Sequence, residues 1–327
     1  MNERIVEVIK NEFQSKNVLV IGDLMVDRYI NGKVRKISPE APVPILDYKN
    51  KRYVAGGASN VVNNLLGLGI RVSVAGVISD DQQGKWLKDE LIKKGANIDC
   101  IISDANRPTT MKTRYTAKGY QLLRVDYEDA SDIDEKTKEK IYEYCLDNIS
   151  DFDAILLSDY LKGVLKDEKF INKLIRLANK KGVLIAADTK TLNIDAYAEA
   201  DILTPNVDEV SGAVGIKIET DEDLDRAASK YLVDSGIKTL VLTRGEKGIS
   251  VYEKGKPRKD FPAKDVEVFD VSGAGDTVIC TVIAGIISGL SICDAVKLAN
   301  YAAGVVITKK GTAAITCTEL LKSLNEE

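Results

Sequence analysis

Short runs of β-branched and aliphatic residues alternate with amphipathic helical stretches along most of the chain, and this alternation leaves few folds open. The strand-like runs cover 18–22, 72–77, 154–158, 183–187, 202–204 and 239–243. Helical stretches at 60–68, 82–94, 167–180 and 221–235 lie between them. Strands separated by helices imply a mainly parallel sheet covered on both faces, a three-layer α/β/α architecture. Such sheets take their ligands beyond the carboxyl ends of the strands. The polar residues that follow the runs are therefore the ones to inspect: Asp23 and Asp27, Asp159, Asp188, Asn206 and Arg244. Two stretches break the rhythm. Residues 29–46 hold Pro39, Pro42 and Pro44, and residues 108–126 read as strand without a helix partner. Proline suits edges and loops rather than central strands. These segments are expected to form a small antiparallel β lid, or an oligomer contact, inserted in a single domain spanning 1–327. Neither holds enough apolar residues for a core of its own.

Composition narrows the chemistry. The 327 residues carry a net charge of −4 and no histidine, and 44% of them are hydrophobic. Without histidine, Ser-His-Asp and Cys-His catalysis and histidine metal sites are excluded, and proton transfer falls to a carboxylate, Lys, Tyr or Cys. The charged start of the chain is unlike a signal peptide, and no apolar run reaches the ~18 residues of a membrane span. Cys100, Cys145, Cys280, Cys293 and Cys317 show no CxxC spacing and read as reduced thiols of a cytoplasmic protein. Interleaved Lys and Glu leave no basic face for nucleic acid.

The most informative segment is Asp270-Val271-Ser272-Gly273-Ala274-Gly275-Asp276-Thr277, which opens a long apolar helix over 277–288. Gly273 and Gly275 let successive backbone N–H groups turn toward one point, at a helix N-terminus that favours an anion. A carboxylate beside such a site is costly unless it accepts a proton or faces a metal. An Asp276 that takes the proton of a hydroxyl attacking a phosphoryl group accounts for both halves of the motif. An ordinary glycine turn with Asp as a cap is the plainer reading of the segment by itself.

Other segments are more ambiguous. In Ala55-Gly56-Gly57-Ala58-Ser59-Asn60 the glycines would admit a ligand and Asn60 could bond sugar hydroxyls, or the segment is a turn and a cap. Asn206 and Glu209, three apart at a helix start, could order water around Mg²⁺ or form a capping box. Thr243-Arg244-Gly245 reads as a turn into a hairpin, with Arg244 reaching phosphates or simply exposed. Neither a GxGxxG fingerprint nor a P-loop occurs.

Taken in order, the elements GD…D, GGxxN, a strand-end Asp, TPNxxE, TRGxxG and DxxGAGD resemble the ribokinase-like (PfkB) carbohydrate kinases across nearly the whole chain. The runs at 22–29, 37–45, 112–126, 157–165 and 298–315 further resemble the kinase half of the bifunctional enzymes that make ADP-heptose. Ser272 and the ADTK run at 187–190 depart modestly from the family pattern. The resemblance implies an ATP-dependent kinase that phosphorylates D-glycero-β-D-manno-heptose 7-phosphate at O1. It further implies Asp276 as general base, with the N–H groups of Gly273, Ala274 and Gly275 as the anion hole. Asn206, Glu209 (through water to Mg²⁺), Thr243, Arg244, Gly245, Lys190 and Asn300 would serve Mg²⁺-ATP. Asp27, Gly56, Gly57, Asn60 and Asp159 would line the sugar site. Lys112, Arg114 and Arg124 on the lid, with Lys162 behind them, would hold the distal phosphate or remain solvated strand charges. A K⁺ ion near the anion hole, a homodimer through the lid and a separate polypeptide for adenylyl transfer complete the expectation. Kinases for other sugars or nucleosides, and a non-catalytic sugar-binding regulator, are the rival readings.

Overall fold

The computed structural model describes residues 3–191 and 193–325. Thirteen strands run in chain order as β1 (Asn17–Gly22), β2 (Leu24–Ile37), β3 (Pro44–Gly57), β4 (Arg71–Ile78), β5 (Asn97–Ser103), β6 (Thr110–Ala117), β7 (Tyr120–Tyr127), β8 (Ala154–Asp159), β9 (Leu184–Thr189), β10 (Ile202–Leu203), β11 (Thr239–Thr243), β12 (Ile249–Glu253) and β13 (Lys259–Phe261). The helices are α1 (Glu3–Asn11), α2 (Ala58–Gly67), α3 (Gln82–Lys93), α4 (Glu135–Asn148), α5 (Glu168–Lys181), α6 (Val207–Val214), α7 (Asp221–Ser235), α8 (Ala274–Ile287), α9 (Ile292–Ile307) and α10 (Cys317–Asn325).

Nine strands form one sheet in the order β13-β12-β11-β10-β9-β8-β1-β4-β5. It is parallel from β11 to β5, and the β11–β12–β13 meander is antiparallel. Strand periodicity explains the two cores. Val18 and Val20 of β1 pack on one face with α1, α2, α3, α8, α9 and α10. Leu19 and Ile21 pack on the other with α4, α5 and α7. The same alternation sends Leu156 and Ala186 one way and Ile155 and Ile185 the other, as a strand buried on both sides requires. The fold is the expected three-layer α/β/α, with a mainly parallel central sheet.

The second sheet has four strands in the order β3-β2-β6-β7. It differs from the expected antiparallel lid in two ways. Its central β2–β6 pair is parallel, because β6 is delivered by the β4-α3-β5 excursion rather than by a hairpin. Its first half also extends to 24–57 instead of 29–46, since β3 runs on to Gly57 at the head of α2. Pro39 and Pro42 lie between the strands and Pro44 opens β3, where no central ladder bond is lost. No helix among the described residues is long and apolar enough to cross a membrane.

Candidate active site

Helix α8 starts where the β13–α8 connection reaches the carboxyl ends of the parallel strands. Gly273 precedes it with φ +84°, a left-handed conformation that glycine adopts without strain. A Cβ there would also lie 2.9 Å from Asn60 Nδ2. The Ala274 N–H is committed to Val271 O at 3.2 Å. That removes one of the three expected anion-hole donors and leaves the N–H groups of Gly273 and Gly275. The N–H of Asp276, in the first helical turn with no acceptor within the helix, joins them. A Cβ on Gly275 would meet nothing within 4 Å, so the backbone is open to a ligand at this point. The donors, the helix dipole and the open glycine suit a phosphate.

Asp276 follows in the first helical turn with 4% of its surface exposed. Asn60 Nδ2 donates to its Oδ2 at 2.7 Å, and the Tyr160 hydroxyl donates to its Oδ1 at 2.6 Å. Burial, then the nearby charge of Asp188, raises its pKa from 3.8 to about 6, while Asn60, Tyr160 and Lys190 work in the opposite direction. A carboxylate with that value is ionised at neutral pH and basic enough to accept a proton.

Its supports come from distant parts of the chain. Asn60 sits on α2, whose Asn64 donates to Asn60 O and accepts from Thr277 Oγ1 at 2.8 Å and Ile315 N at 3.1 Å. The start of α8 is thereby joined to α2. Tyr160 follows β8 on a loop held by buried Asp23, which accepts from the N–H groups of Tyr160, Lys162 and Val164. Asp159 anchors the same loop. It accepts from Leu161 N, Thr189 Oγ1 and Tyr197 Oη at 2.8–2.9 Å and is 1% exposed. That corrects the sugar-binding expectation for Asp159, because its acceptors already serve the protein.

Asp27, buried on β2, faces the same cleft. The Arg114 guanidinium donates to one of its oxygens and Thr312 Oγ1 to the other at 3.1 Å. Gly56 is what lets it sit there, since a Cβ would come within 2.6 Å of Asp27 Oδ2. Gly57, at φ +53°, would press a Cβ onto Asp23 O and Met25. The Arg52 and Arg114 guanidiniums lie 4.3 and 5.4 Å from the centre of the Tyr29 ring. Lys112 bonds Asp126 and Glu128, Arg124 bonds Asp126, and Lys162 bonds Glu128. The cations expected to hold a distal phosphate are thus each paired with a carboxylate.

On the opposite side, Lys190 bridges Asp188 at 3.2 Å and Glu209 at 3.0 Å. The capping box at α6 forms, with Glu209 N donating to Asn206 Oδ1 and Asn206 N to Glu209 Oε2, both at 2.8 Å. Glu209 thus has one oxygen on the cap and the other on Lys190. Thr243 ends β11 with its N–H on Pro205 O, and Gly245 takes φ +58° in the expected hairpin turn. Arg244 departs from expectation. Its guanidinium is held by Asp221 (2.6 Å), Ser250 Oγ (3.0 Å) and Asp260 (3.3 Å), which braces the hairpin instead of facing the phosphate donors. Asn300, on α9, donates to Pro262 O and lines a groove of about 640 Å³ with Pro262, Ala263, Lys264 and Tyr301.

A model of the pfkB family of carbohydrate kinases matches residues 15–319. The chain belongs to that family. Membership makes it an ATP-dependent carbohydrate kinase. It is 38% identical over 324 residues to the bifunctional protein HldE of Pelobacter propionicus, covering 99% of this chain and 66% of that protein. It is 41% identical over 303 residues to HldE of Sulfurimonas denitrificans, covering 93% and 63%. The chain therefore spans slightly less than two thirds of these curated relatives. Among solved structures, an Arabidopsis thaliana ribokinase complexed with ribose and ATP superposes with TM-score 0.74 at 21% identity, covering 94% of this chain and 98% of that one. Escherichia coli phosphofructokinase-2 in complex with potassium gives 0.79 at 16%, covering 95% and 98%. These two likenesses concern the fold.

Several residues of this candidate site were not legible in the sequence. Tyr160 lies inside the run at 157–165, but nothing local marks its hydroxyl as a partner of a residue 116 positions away. Tyr29, Arg52 and Thr312 likewise meet only through the topology.

Proposed function

We propose that this chain transfers the γ-phosphoryl of ATP to O1 of D-glycero-β-D-manno-heptose 7-phosphate, giving the 1,7-bisphosphate. The observation that carries the reading is the buried Asp276, oriented through both carboxylate oxygens beside the glycine-opened start of α8. Similarity to the HldE proteins over nearly the whole chain supports the choice of sugar. In this reading Asp276 takes the proton from the sugar's O1 as that oxygen bonds to the γ-phosphorus. The bond from phosphorus to the bridging oxygen of ADP breaks, and the N–H groups of Gly273, Gly275 and Asp276 hold the equatorial oxygens.

Asp27 and Asn60 orient the sugar hydroxyls, with Gly56 and Gly57 opening the backbone. Lys190 neutralises charge on the nucleotide side. Asn206 and Glu209 would order the water shell of Mg²⁺, which would supply charge neutralisation for the phosphates. A K⁺ ion beside the anion hole is part of the same proposal. The distal phosphate enters the cluster of Lys112, Arg114, Arg124 and Lys162, displacing Asp126 and Glu128. Arg52 joins it as the guanidinium that rests on Tyr29. The small sheet also joins two copies. Strand β7 is an edge whose residues are exposed along its whole length, with Tyr120, Leu123 and Tyr127 more than half exposed.

The test is ADP release with heptose 7-phosphate, fructose 6-phosphate and ribose as acceptors. The reading expects kcat/KM to be highest for the heptose phosphate. Higher turnover of either competitor would replace the substrate assignment.

A further inference from the structure

The loop from Asp159 to Val164 is held more firmly than a surface connection requires. Three of its N–H groups converge on the buried carboxylate of Asp23. Its carbonyl at Lys162 accepts from Arg107 at 2.8 Å, and the same buried guanidinium reaches Asp129 O and Ser131 O. Leu161 is forced to φ +57°, a left-handed conformation that is strained for any residue other than glycine. Burial pushes the Asp23 carboxyl above its ordinary value, so the anchor itself opposes stability. Fixed geometry at such cost marks a loop that positions something, and what it delivers is the Tyr160 hydroxyl, 2.6 Å from Asp276 Oδ1.

We propose that Tyr160 is a positioning residue for the base: its hydroxyl fixes one oxygen of Asp276 and holds the group in its anionic, proton-accepting form. This rests on the kinase reading of Asp276. The groups facing the carboxylate are Asn60 from α2, Tyr160 from the β8 loop, Asp188 and Lys190 from β9 and its end, and Cys280 one turn along α8. Asp188 and burial favour the protonated acid. Tyr160, Asn60 and Lys190 favour the anion. Tyr160 is itself held neutral, as burial and the Asp276 charge push its phenol well above the ordinary range, so it donates and does not compete for the proton.

The first readout needs no substrate. With tyrosine labelled at its ring carbon bearing oxygen, the Tyr160 resonance of the wild-type protein should shift with a midpoint near that of Asp276, about 6. That shift should vanish in Asp276→Asn, which assigns the resonance even where Tyr160→Phe fails to fold. In Tyr160→Phe, the acid limb of kcat/KM should move up by about 1–2 pH units, the equivalent of one lost hydrogen bond to a charged group. KM for ATP should stay near its wild-type value. A Tyr160 resonance that is flat between about pH 5 and 8, or a Tyr160→Phe acid limb that coincides with wild type, overturns the proposal. Failure of the reading of Asp276 as the base would register differently, as full turnover in Asp276→Asn.

Discussion

At the scale of single residues, the decisive feature is an acid kept where it is unstable. Transferring Asp276 from water to its buried place beside Asp188 raises its pKa to about 6, which costs the folded state on the order of 3 kcal/mol at neutral pH. The sign follows from proton binding. The folded protein holds a proton on Asp276 that the unfolded chain has already released between about pH 4 and 6, so this group's destabilisation is complete above 6 and fades as pH falls through that window. Asp276→Asn removes the charge while keeping an oxygen for Asn60 and an amide for Tyr160 to accept from. Its melting temperature should therefore exceed that of wild type at pH 7.5 by several degrees, at roughly 2–4 °C per kcal/mol, and the gap should narrow toward pH 5. A constant gap across that range, measured by calorimetry, would mean that Asp276 is not the group under strain.

At the scale of elements, the start of α8 separates what glycine does for folding from what it does for ligand access. Gly273 is required by its backbone angle and by the nearby Asn60 amide. Gly275 is required by neither, and alanine is the better helix former by about 1 kcal/mol. Gly273→Ala should lose both stability and turnover. Gly275→Ala should melt at or above the wild-type temperature yet lose about tenfold or more in kcat/KM for ATP, because its methyl occupies the phosphate's approach. Wild-type kinetics in Gly275→Ala would remove the anion hole from this helix. Elements of this kind were legible in the sequence, because alternating burial in β1, β8 and β9 imposes an unmistakable apolar run and α7 is bounded by its caps. The parallel pairing of β2 with β6, and the continuation of β3 to Gly57, were not. Both depend on which distant strand arrives alongside, and residue type at 44–57 or 110–117 carries no record of direction. The same limit explains Asp159 and Arg244. Their positions at strand ends were correctly read, but their hydrogen-bond partners lie on other elements, Thr189 and Tyr197 for Asp159 and Asp221, Ser250 and Asp260 for Arg244, which only the topology brings alongside.

At the scale of the whole molecule, the site is assembled where the nine-stranded sheet, the helical layer of α2 and α8 and the four-stranded sheet meet. Each contributes side chains: Lys190 from β9's end, Asn60 and Asp276 from the helices, and Asp27 with Arg114 from the small sheet. The small sheet leaves β7 uncovered, and pairing with a second copy would bury that edge. Sedimentation should report a dimer that dissociates when Leu123 and Tyr127 are changed to Asp and Lys. A wild-type monomer at tens of micromolar would refute that arrangement. The central claim, that one buried carboxylate beside the α8 anion hole removes the acceptor's proton, is tested most directly by comparing Asp276→Asn with wild type under saturating ATP and sugar phosphate. The account predicts a fall in kcat of about 10²–10⁴-fold with ATP affinity retained; turnover within a few-fold of wild type would contradict it.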